Sequence, residues 1–548
     1  MVVASVALVG VVVALAYAWL CVAFRERLAL AHKIPGPYVY PVIGNLYLLW
    51  HAVRGFDWVF QEAWRRSEHY PRRVAKIMAL HRVAVAVWSP EDVEVILSSA
   101  QCNEKAKEYR FFQPWLGDGL LISKGDHWRS HRKLIAPTFH VHVLKQFVHL
   151  FHRNSEMLCR RLEAVTARTI DIHDYVAEAT VDMLLETAMG VRRDTQKNTF
   201  EYAMAVVKMC AVLHRRALSP WLWWDFLFGL SGEGRKQRRL LDTIHDQTRE
   251  VLRVRRAERA SGLRDALYKR ALAEDADALR ADAAARNPEE TGISYGQSAG
   301  LRDDLDDEYG LKKRVLFLDQ MLDAADDDNA LTEKEVEEEV TTIMFEGHDT
   351  TAAASSFFLC LMGVHRDVQQ RCVAELREIF GDSDRPPSFQ DTLEMKYLER
   401  CIMETLRLFP PVPLIARHVS KNVRLASGYV VPESTTVVIP PFLLHRDPDM
   451  FPNAEQFDPD NFLPERCGDR HYYAFIPFSA GPRSCVGRKY AMLKLKILLS
   501  TILRKLEVHA DVPEKDFKLV GDIILKRKEG FPCRFVPRKR PSRTGMAG

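Results

Sequence analysis

The sequence predicts a mainly α-helical protein with a small β region, preceded by an apolar N-terminal segment. Beyond residue 50, apolar residues recur mostly at the spacing of amphipathic helices. Short strand-like pieces interrupt this pattern, such as VAVAVW at 83–88 and TTVVIP at 435–440. The chain has 548 residues, which exceeds the usual size of a single core. Either two domains or one unusually large fold is therefore expected.

Composition excludes some classes of protein. The net charge is only +4, and no basic stripe is interleaved with aromatic residues, so no nucleic-acid partner is expected. Ten cysteines are scattered along the chain without a CxxC pair. This distribution favours a reducing compartment over a disulfide framework.

The N-terminal run from Val2 to Phe24 contains no charge and is long enough to span a bilayer core. The alternative is a cleaved secretory signal, since residues 16–18 offer an A-x-A-like site. However, no Lys or Arg precedes the run, whereas Arg25 and Arg27 follow it at once. Positive charges at this end predict a single-pass signal anchor over residues 1–24, with the rest of the chain in the cytosol.

Composition also divides the rest of the chain. Residues 25–50 contain three prolines that resist helix formation, and they predict a stiff hinge. The main domain is predicted over 51–535. Inside it, residues 271–312 are acidic and almost free of large apolar side chains, which predicts an exposed insertion. Residues 536–548 are interpreted as a basic tail.

Cys485 lies in an unusual setting, FIPFSAGPRSCVGRKYAML at 475–493. Gly481 and Gly487 would allow unusual backbone angles and let amide groups approach the sulfur. A helical pattern follows, so the cysteine is expected near a helix N-terminus, where dipole and amides favour the thiolate. The sequence gives it no nearby His or Cys for a zinc site, but a lone thiolate can ligate haem iron. Cysteine-protease chemistry is the rival, and no His and Asn in a recognisable setting supports it.

Phe478, Gly481, Arg483, Cys485 and Gly487 match the pattern F-x-x-G-x-R-x-C-x-G. This pattern resembles the haem loop of cytochrome P-450 monooxygenases. The resemblance covers the chain from the anchor to about residue 535. It implies the cytochrome P-450 fold and haem b as cofactor, with Cys485 as the axial ligand of the iron. It also implies electrons from NADPH through the cytochrome P-450 reductase, at the endoplasmic reticulum membrane.

A second constellation lies on a long helical stretch that begins at a capping box of Thr332 and Glu335. Midway, the apolar pattern changes to FEGHDTT, with Glu346, Asp349 and Thr350. The structural alternative is that the hydroxyls bond back to the preceding turn and bend the helix. Asp349 and Thr350 resemble the acid–alcohol pair that relays protons during oxygen activation in this family.

A third constellation is the pair Glu404 and Arg407, at i and i+3 on a helix before LFPPVP. It resembles the buried core pair of the family, which normally meets a further arginine downstream. Here the downstream motif is PDNF, with Asn461 where Arg is usual. Arg446 or Arg466 is a possible substitute.

Three residues resemble the contacts that hold the haem propionates. Trp128 and Arg132 match a W-x-x-x-R pair on a helix expected to open at Asp126, and Arg417 in LIARHV is a further candidate. For each arginine alone, a surface charge is the alternative.

The motif FEGHDTT resembles family 4, whose members oxidise fatty acyl chains at or near the terminus. In that family the glutamate matching Glu346 can be esterified to a haem methyl. The insertion at 271–312 and the stretches 107–123 and 470–500 resemble the insect oxidative decarbonylases, which convert very long-chain aldehydes into hydrocarbons one carbon shorter.

Other readings stay open at this point. Within the monooxygenases, terminal hydroxylation of fatty acids or related lipids is the alternative. A haem carrier or gas sensor without turnover is another class, and a peroxide isomerase that needs no reductase is a third. The acid–alcohol pair argues against both of these non-monooxygenase readings.

Overall fold

The computed structural model describes residues 2–40, 43–50, 65–70, 72–79, 82–191, 199–261, 316–326 and 330–538. Helices of two turns or more are α1 Val2–Ala23, α2 Arg25–His32, α3 Pro90–Ser98, α4 Gly125–Ile135, α5 Val148–Ala164, α6 Ile172–Thr187, α7 Thr199–Leu218, α8 Gly232–Ala260, α9 Phe317–Asp326, α10 Glu333–Glu346, α11 Asp349–Val364, α12 Arg366–Phe380, α13 Lys396–Leu408 and α14 Arg488–Lys505.

Shorter helical segments connect these elements. Single-turn α-helices are Tyr47–Trp50, Gln113–Leu116, Val141–Leu144, Asp225–Leu230, Phe389–Glu394, Pro441–Leu444 and Pro464–Cys467. The 3₁₀ segments are Ala100–Cys102, Lys107–Phe112, Ala136–Phe139, Lys145–Phe147, Pro220–Leu222, Pro459–Phe462, Tyr472–Ala474 and Glu514–Asp516.

The strands form small sheets beside the helices. They are β1 Val74–Ala79, β2 Arg82–Val87, β3 Glu104–Lys105, β4 Thr169–Asp171, β5 Ile415–His418, β6 Val423–Arg424, β7 Val430–Val431, β8 Thr436–Ile439, β9 Leu506–His509, β10 Leu519–Gly521, β11 Leu525–Arg527 and β12 Pro532–Pro537. The strands predicted at 83–88 and 435–440 are confirmed as β2 and β8. The prediction of a mainly α-helical fold with a small β region is confirmed as well.

The largest sheet has the strand order β1-β2-β8-β5-β3. Strands β2 and β8 pair in parallel, and the other pairs of this sheet are antiparallel. A second sheet has the order β4-β12-β9, and β10–β11 and β6–β7 form two-stranded ribbons. Alternating apolar residues of β2 and β8 face a separate apolar cluster under the largest sheet.

Helix α11 lies at the centre of the main core. Every residue from Thr351 to Gly363 is buried, so this helix is covered on all sides. It packs against α6, α13 and β9, while α5 runs along α14. Its first turn is consequently held within the protein interior, and this places the residues of FEGHDTT deep in the molecule.

The N-terminal predictions have mixed outcomes. Counted over the described residues, no helix is both long and apolar enough to cross a membrane, and the anchor over 1–24 stays a prediction. The hinge prediction for 25–50 is wrong at its start, because 25–32 form α2. Lys76 explains the docking of this segment, since its Nζ donates to the carbonyls of Ala31 and His32 at the end of α2.

Two predicted boundaries concern the rest of the chain. The acidic insertion at 271–312 lies outside the described residues, as do positions 539–548 of the predicted basic tail. The predicted domain end at 535 falls inside β12, which pairs with β9 as far as Pro537. The ordered domain therefore continues past the predicted boundary, because this strand completes the sheet on β9.

Glu404 and Arg407 form the buried pair that the sequence predicts. Both side chains are fully buried, and two hydrogen bonds of 2.7 Å join guanidinium and carboxylate. Arg407 also donates to three backbone carbonyls, those of His445, Ala454 and Gln456. The pair thus ties α13 to the segment that leads into the loop around Cys485.

Asn461 itself occupies the position of the third partner. Its Nδ2 donates to Glu404 Oε1 at 3.1 Å, next to the backbone amide of Asp458 at 2.8 Å. The suggested substitutes are wrong, because Arg446 pairs with Glu455 and Arg466 with Asp458. A neutral amide suffices because Glu404 already receives its charge partner from Arg407.

Removing one member of this pair should destabilise the fold strongly. Arg407→Met leaves the Glu404 carboxylate buried without its counter-ion, and we expect a loss of about 3–5 kcal/mol in the free energy of unfolding. Arg466→Met, which breaks a pair that is about half exposed, should cost at most about 1 kcal/mol. Urea unfolding followed by far-ultraviolet circular dichroism measures both. Equal losses in the two variants would contradict the account.

Candidate active site

The loop around Cys485 is shaped by a close approach of its backbone to α3. Gly481 has φ +71°, and a Cβ atom there would lie 2.2 Å from the carbonyl oxygen of Leu97. The Cys485 amide donates to the carbonyl of Phe478 at 2.9 Å, which closes the loop. The expectation for Gly487 is wrong with respect to its backbone angles, since its φ of −93° is open to any residue. Helix α14 begins directly after Gly487, as predicted.

The amide of Gly487 favours the Cys485 thiolate, as predicted, but desolvation has the larger effect on the pKa of this thiol. The side chain is solvent-accessible, yet the surrounding protein desolvates the thiol and raises its pKa to about 11, with Glu346 acting in the same direction. The Gly487 amide and the charge of Arg132 favour the thiolate but do not outweigh desolvation. A metal ion bound to the sulfur would favour the thiolate.

Basic side chains converge on the region in front of Cys485. Arg417 on β5 and Lys105 on β3 are directly opposite each other across the two strands, and both are buried. Like charges opposed across strands destabilise a sheet unless an anion compensates them. Among the described residues neither has a carboxylate within ion-pair distance, and Arg417 donates only to the Ala416 carbonyl and to Ser479 Oγ.

Two further predicted residues reach the same region from α4. The Trp128 ring lies under the guanidinium of Arg483 at 4.0 Å from the ring centroid. One turn later, Arg132 donates from Nη1 to the carbonyl of Ser484 at 2.9 Å. Asp126 does not cap this helix as predicted, because its carboxylate pairs with Arg129.

Arg483 is the most constrained of these cations. It donates to the carbonyls of Asn103 and Ser123, whereas its buried Nη1 has no hydrogen-bond partner in the part of the chain that is described. Burial lowers its pKa to about 9, and the charges of Arg417 and Arg132 contribute in the same direction. A buried donor among neighbouring cations is suited to an anionic acceptor.

Lys105 belongs to this set, although sequence reasoning missed it. Desolvation lowers its pKa well below the usual value, and Arg417 adds to the shift, while Glu346 opposes it. A lone lysine in NEKAKEY carries no motif. The available signal was the position of Lys105 in a short strand just before the aromatic residues at 109–115. This signal can be interpreted only once β5 is known to pair with that strand.

The long predicted helix is interrupted where the polar motif lies. Helix α10 ends at Glu346 and α11 begins at Asp349, with Gly347 and His348 between them. Lys494 on α14 donates from Nζ to the carbonyls of Gly347 and Thr180, both at 3.0 Å. Its pKa is lowered to about 7 by burial. This lysine, which the sequence did not single out, binds one of the carbonyls that the interruption exposes.

Glu346 lies at the end of α10 and faces the same region as the cations. Its pKa is raised to about 7, chiefly by burial, while Lys105 and Arg132 oppose the shift. Among the described residues, its carboxylate accepts no hydrogen bond. A half-buried carboxyl without such a partner is costly and is suited to a bond with something other than the protein backbone.

The predicted pair Asp349 and Thr350 is only partly brought together. Thr350 donates to the Glu346 carbonyl at 2.9 Å, which is the back-bonding alternative. Asp349 is fully buried and faces away, with Cys210 Sγ at 3.8 Å and His173 Nε2 at 4.0 Å. Although burial opposes ionisation, Lys526, His348 and His173 hold its pKa below the ordinary value.

Aromatic side chains pack next to Glu346. Trp115 lies 4.4 Å from Phe345 between ring centroids, and Phe112 stacks on Trp115 at 6.3 Å. Phe111 and Leu116 are buried beside them. The site therefore combines a cationic side, a polar helix interruption and an apolar wall.

The motifs around Cys485 and along α10 agree with the result of a comparison with protein-family models, in which one family matches nearly the whole chain. A model of the family Cytochrome P450 matches residues 34–534. The chain belongs to the cytochrome P450 family. It is accordingly a haem-thiolate monooxygenase by family, and the cytochromes P450 generally use NADPH-derived electrons from a redox partner.

Similar proteins place the chain in family 4. It is 52% identical to cytochrome P450 4g15 of Drosophila melanogaster, over 93% of this chain and 92% of that protein. It is 50% identical to cytochrome P450 4g1 of the same organism, over 82% and 79%. Human cytochrome P450 4V2 is 37% identical, over 92% and 89%.

The fold is shared with solved structures as well. The crystal structure of the cytochrome P450DA heme domain aligns with a TM-score of 0.70, over 92% of this chain and 98% of that chain. The two sequences are only 19% identical, so this likeness concerns the fold. It confirms the predicted cytochrome P-450 fold.

The residues on the cationic side fit a haem. Two propionates would supply the acceptors that the buried Nη1 of Arg483 and the opposed pair of Arg417 and Lys105 require. A ferric ion bound to Cys485 would favour its thiolate over the thiol.

Proposed function

We propose that this protein is an oxidative decarbonylase that converts very long-chain aldehydes into hydrocarbons one carbon shorter. The observation that carries the proposal is the graded similarity within family 4. The chain is 52% and 50% identical to the two 4g proteins, against 38% for cytochrome P450 4c3 of Drosophila melanogaster and 37% for human 4V2. The acidic insertion at 271–312 supports the same subgroup, and hydrocarbon synthesis for the insect cuticle is the expected role.

The apolar wall supports an extended alkyl substrate. Phe112 stacks on Trp115, and Trp115 also contacts the tilted ring of Phe345 next to Glu346. An apolar cluster of this kind would bind an alkyl chain by excluding water from it. The polar carbonyl end would then lie near the interruption between α10 and α11. This arrangement serves an aldehyde and a fatty acid equally well.

Haem b, when bound, supplies the redox centre that activates dioxygen with electrons from NADPH through the reductase. Cys485 would hold its iron, and the residues around the propionates would be Lys105, Trp128, Arg132, Arg417 and Arg483. The overall reaction balances when one aldehyde, one dioxygen, two electrons and two protons give one hydrocarbon, one carbon dioxide and one water.

The residues of this chain that would deliver the two protons of the reaction lie at the start of α11. Thr350 holds its hydroxyl at the helix interruption through the Glu346 carbonyl. Asp349 would exchange protons with the groups that face it in the protein interior, which include His173 and Lys526. A rotation of the Asp349 side chain would bring each proton toward Thr350, from which a water passes it on.

The apolar N-terminal segment supports a place for the enzyme on the endoplasmic reticulum membrane. We infer a single-pass anchor over 1–24 with the domain in the cytosol, since Arg25 and Arg27 follow an uncharged run. This location would bring the site close to an insoluble lipid substrate and to a membrane-bound reductase.

The decisive assay combines microsomal protein, reductase, NADPH, oxygen and a very long-chain aldehyde labelled at the carbonyl carbon. We expect shortened hydrocarbon and labelled carbon dioxide in equal amounts, because one carbon–carbon bond is cleaved per turnover. Gas chromatography and trapping of the label measure the two products. Formation of only the fatty acid or a hydroxylated chain would contradict decarbonylation and favour terminal hydroxylation, the alternative within family 4.

Glu346 is proposed to form an ester with a haem methyl group in part of the population. The step replaces a methyl C–H bond by a C–O bond, and turnover with dioxygen and NADPH would supply this two-electron oxidation. The position of Glu346 supports this ester, since its carboxyl group faces the same region as Lys105 and Arg132. Among the described residues this carboxyl group accepts no hydrogen bond, and its pKa is raised to about 7.

Denatured protein after reversed-phase chromatography should therefore retain haem absorbance. Glu346→Ala should lose this absorbance, whereas Glu337→Ala, on the more exposed face of α10, should keep it. Complete release of haem from the wild-type protein after turnover would refute the bond.

Proton delivery by the start of α11 predicts uncoupling. Thr350→Ala and Asp349→Asn should lower the product formed per NADPH by at least about tenfold while hydrogen peroxide accumulates, because oxygen is reduced but protons arrive late. Ser355→Ala is the matched control, since it removes a hydroxyl that bonds back to the preceding turn of the same helix. Unchanged coupling in both test variants would show that this helix does not deliver protons.

A further inference from the structure

A cluster of metal-ligating side chains lies where α4 meets the first turn of α10. The Nδ1 atom of His127 and the Nε2 atom of His131 each lie 3.7 Å from Glu335 Oε1. One ligand atom from each of the three residues lies within 4.8 Å of the others. We propose that His127, His131 and Glu335 bind one divalent transition-metal cation, with Zn²⁺ as the best match.

His131 is held in the orientation and tautomer that a metal ligand needs. Its Nδ1 lies 2.7 Å from Glu339 Oε1, and Glu339 is fully buried. The other oxygen of Glu339 accepts from the Leu120 amide at 3.1 Å, so this carboxylate is fixed. Because a carboxylate accepts, Nδ1 carries the proton, and Nε2 is the ring nitrogen that lies toward Glu335. A carboxylate behind a ligating histidine in this way is the usual support of a protein metal site.

Glu335 divides its two oxygens between different tasks. Oε2 accepts from the amide and hydroxyl of Thr332 in the capping box of α10. Oε1 is the atom that both histidines approach. The cap therefore fixes the carboxylate and leaves one oxygen directed at the two rings.

His127 is the least satisfied member of the cluster. It lies one turn before His131 on α4, and the two ring centroids are 4.0 Å apart. Among the described residues its buried Nε2 has no hydrogen-bond partner, and Asp118 Oδ2 lies 3.9 Å away. Coordination through Nδ1 leaves a proton on Nε2, and a small movement of Asp118 would then let it accept that proton's hydrogen bond.

The geometry and donor set select the class of metal. Zinc bonds of about 2.0–2.2 Å at tetrahedral angles separate ligand atoms by roughly 3.3–3.6 Å, slightly less than the two contacts of 3.7 Å. Two imidazole nitrogens and one carboxylate oxygen favour zinc and its neighbours over calcium or magnesium. The His127 side chain is 31% exposed, which gives the cation a path from solvent.

A bound cation would join α4 to α10. The same α4 carries Trp128 and Arg132 toward the haem side, while α10 carries Glu346 at its other end. The metal would therefore hold α4 and α10, two helices that carry active-site residues, in a fixed relative position without itself lying in the active site. This site is separate from the proposed reaction, and its test does not depend on turnover.

The test uses full-length holoenzyme without a histidine tag, freed of metal with EDTA and dialysed against Zn²⁺. We expect one tightly bound zinc per chain by atomic emission, and a higher midpoint temperature of unfolding with zinc. His127→Ala and Glu335→Gln should each weaken binding at least tenfold and lose the thermal shift. Gln can still cap α10, so a loss in that variant reports on the metal ligand rather than on the helix.

His142→Ala removes an exposed histidine from a neighbouring segment and should bind zinc like the wild type. X-ray absorption at the zinc edge should show two imidazoles and one carboxylate. Either of two results would overturn the proposal: no bound zinc in the wild type beyond that of a His127→Ala/His131→Ala double variant, or equal binding in every variant.

Discussion

The active site depends on buried positive charge for which the described residues provide no carboxylate at ion-pair distance. Arg417 and Lys105 oppose each other across two strands, and one buried donor of Arg483 has no partner within the described part of the chain. Such an arrangement is unfavourable in a dry interior, where each unpaired charge costs several kcal/mol. An anionic cofactor edge resolves it. Desolvation raises the pKa of the Cys485 thiol against the effect of the nearby cations, and a bound metal ion would favour its thiolate.

The interruption between α10 and α11 is the second constraint. It places Glu346, Asp349 and Thr350 within a short distance along the chain but directs them to different surroundings: the cofactor side, the interior and the helix backbone. Lys494 stabilises the interruption because its buried ammonium group donates hydrogen bonds to two carbonyls, those of Thr180 and Gly347. A continuous helix would pair the Gly347 carbonyl within itself and would have no use for this lysine.

The sequence predicted the parts of this arrangement that have local signatures. The loop around Cys485, the buried Glu404–Arg407 pair and the strands β2 and β8 could all be assigned from spacing or from resemblance. Lys105 and Lys494 could not, because each acts through contacts between segments that are far apart in the chain. The raised pKa of Cys485 could not be predicted for the same reason, since desolvation depends on the whole surrounding structure.

Asn461 shows a different limit. A motif comparison registers the missing arginine but does not reveal that an amide can donate to Glu404 from the same place. The hinge at 25–50 was likewise mispredicted in part. Its first residues form α2, and the buried Lys76 on β1 donates a hydrogen bond to the Ala31 carbonyl at the end of that helix. In both cases a side chain from another element decided the outcome.

The central claim is that Cys485 ligates the iron of a haem held by these cations. The most direct measurement is the absorption spectrum of the ferrous carbon monoxide complex of the purified holoenzyme. The account predicts the far-shifted Soret band of thiolate-ligated haem, lost in Cys485→Ser and kept in Cys467→Ser, a second partly exposed cysteine. A spectrum typical of histidine-ligated haem in folded wild-type protein, or an unchanged band in Cys485→Ser, would contradict it.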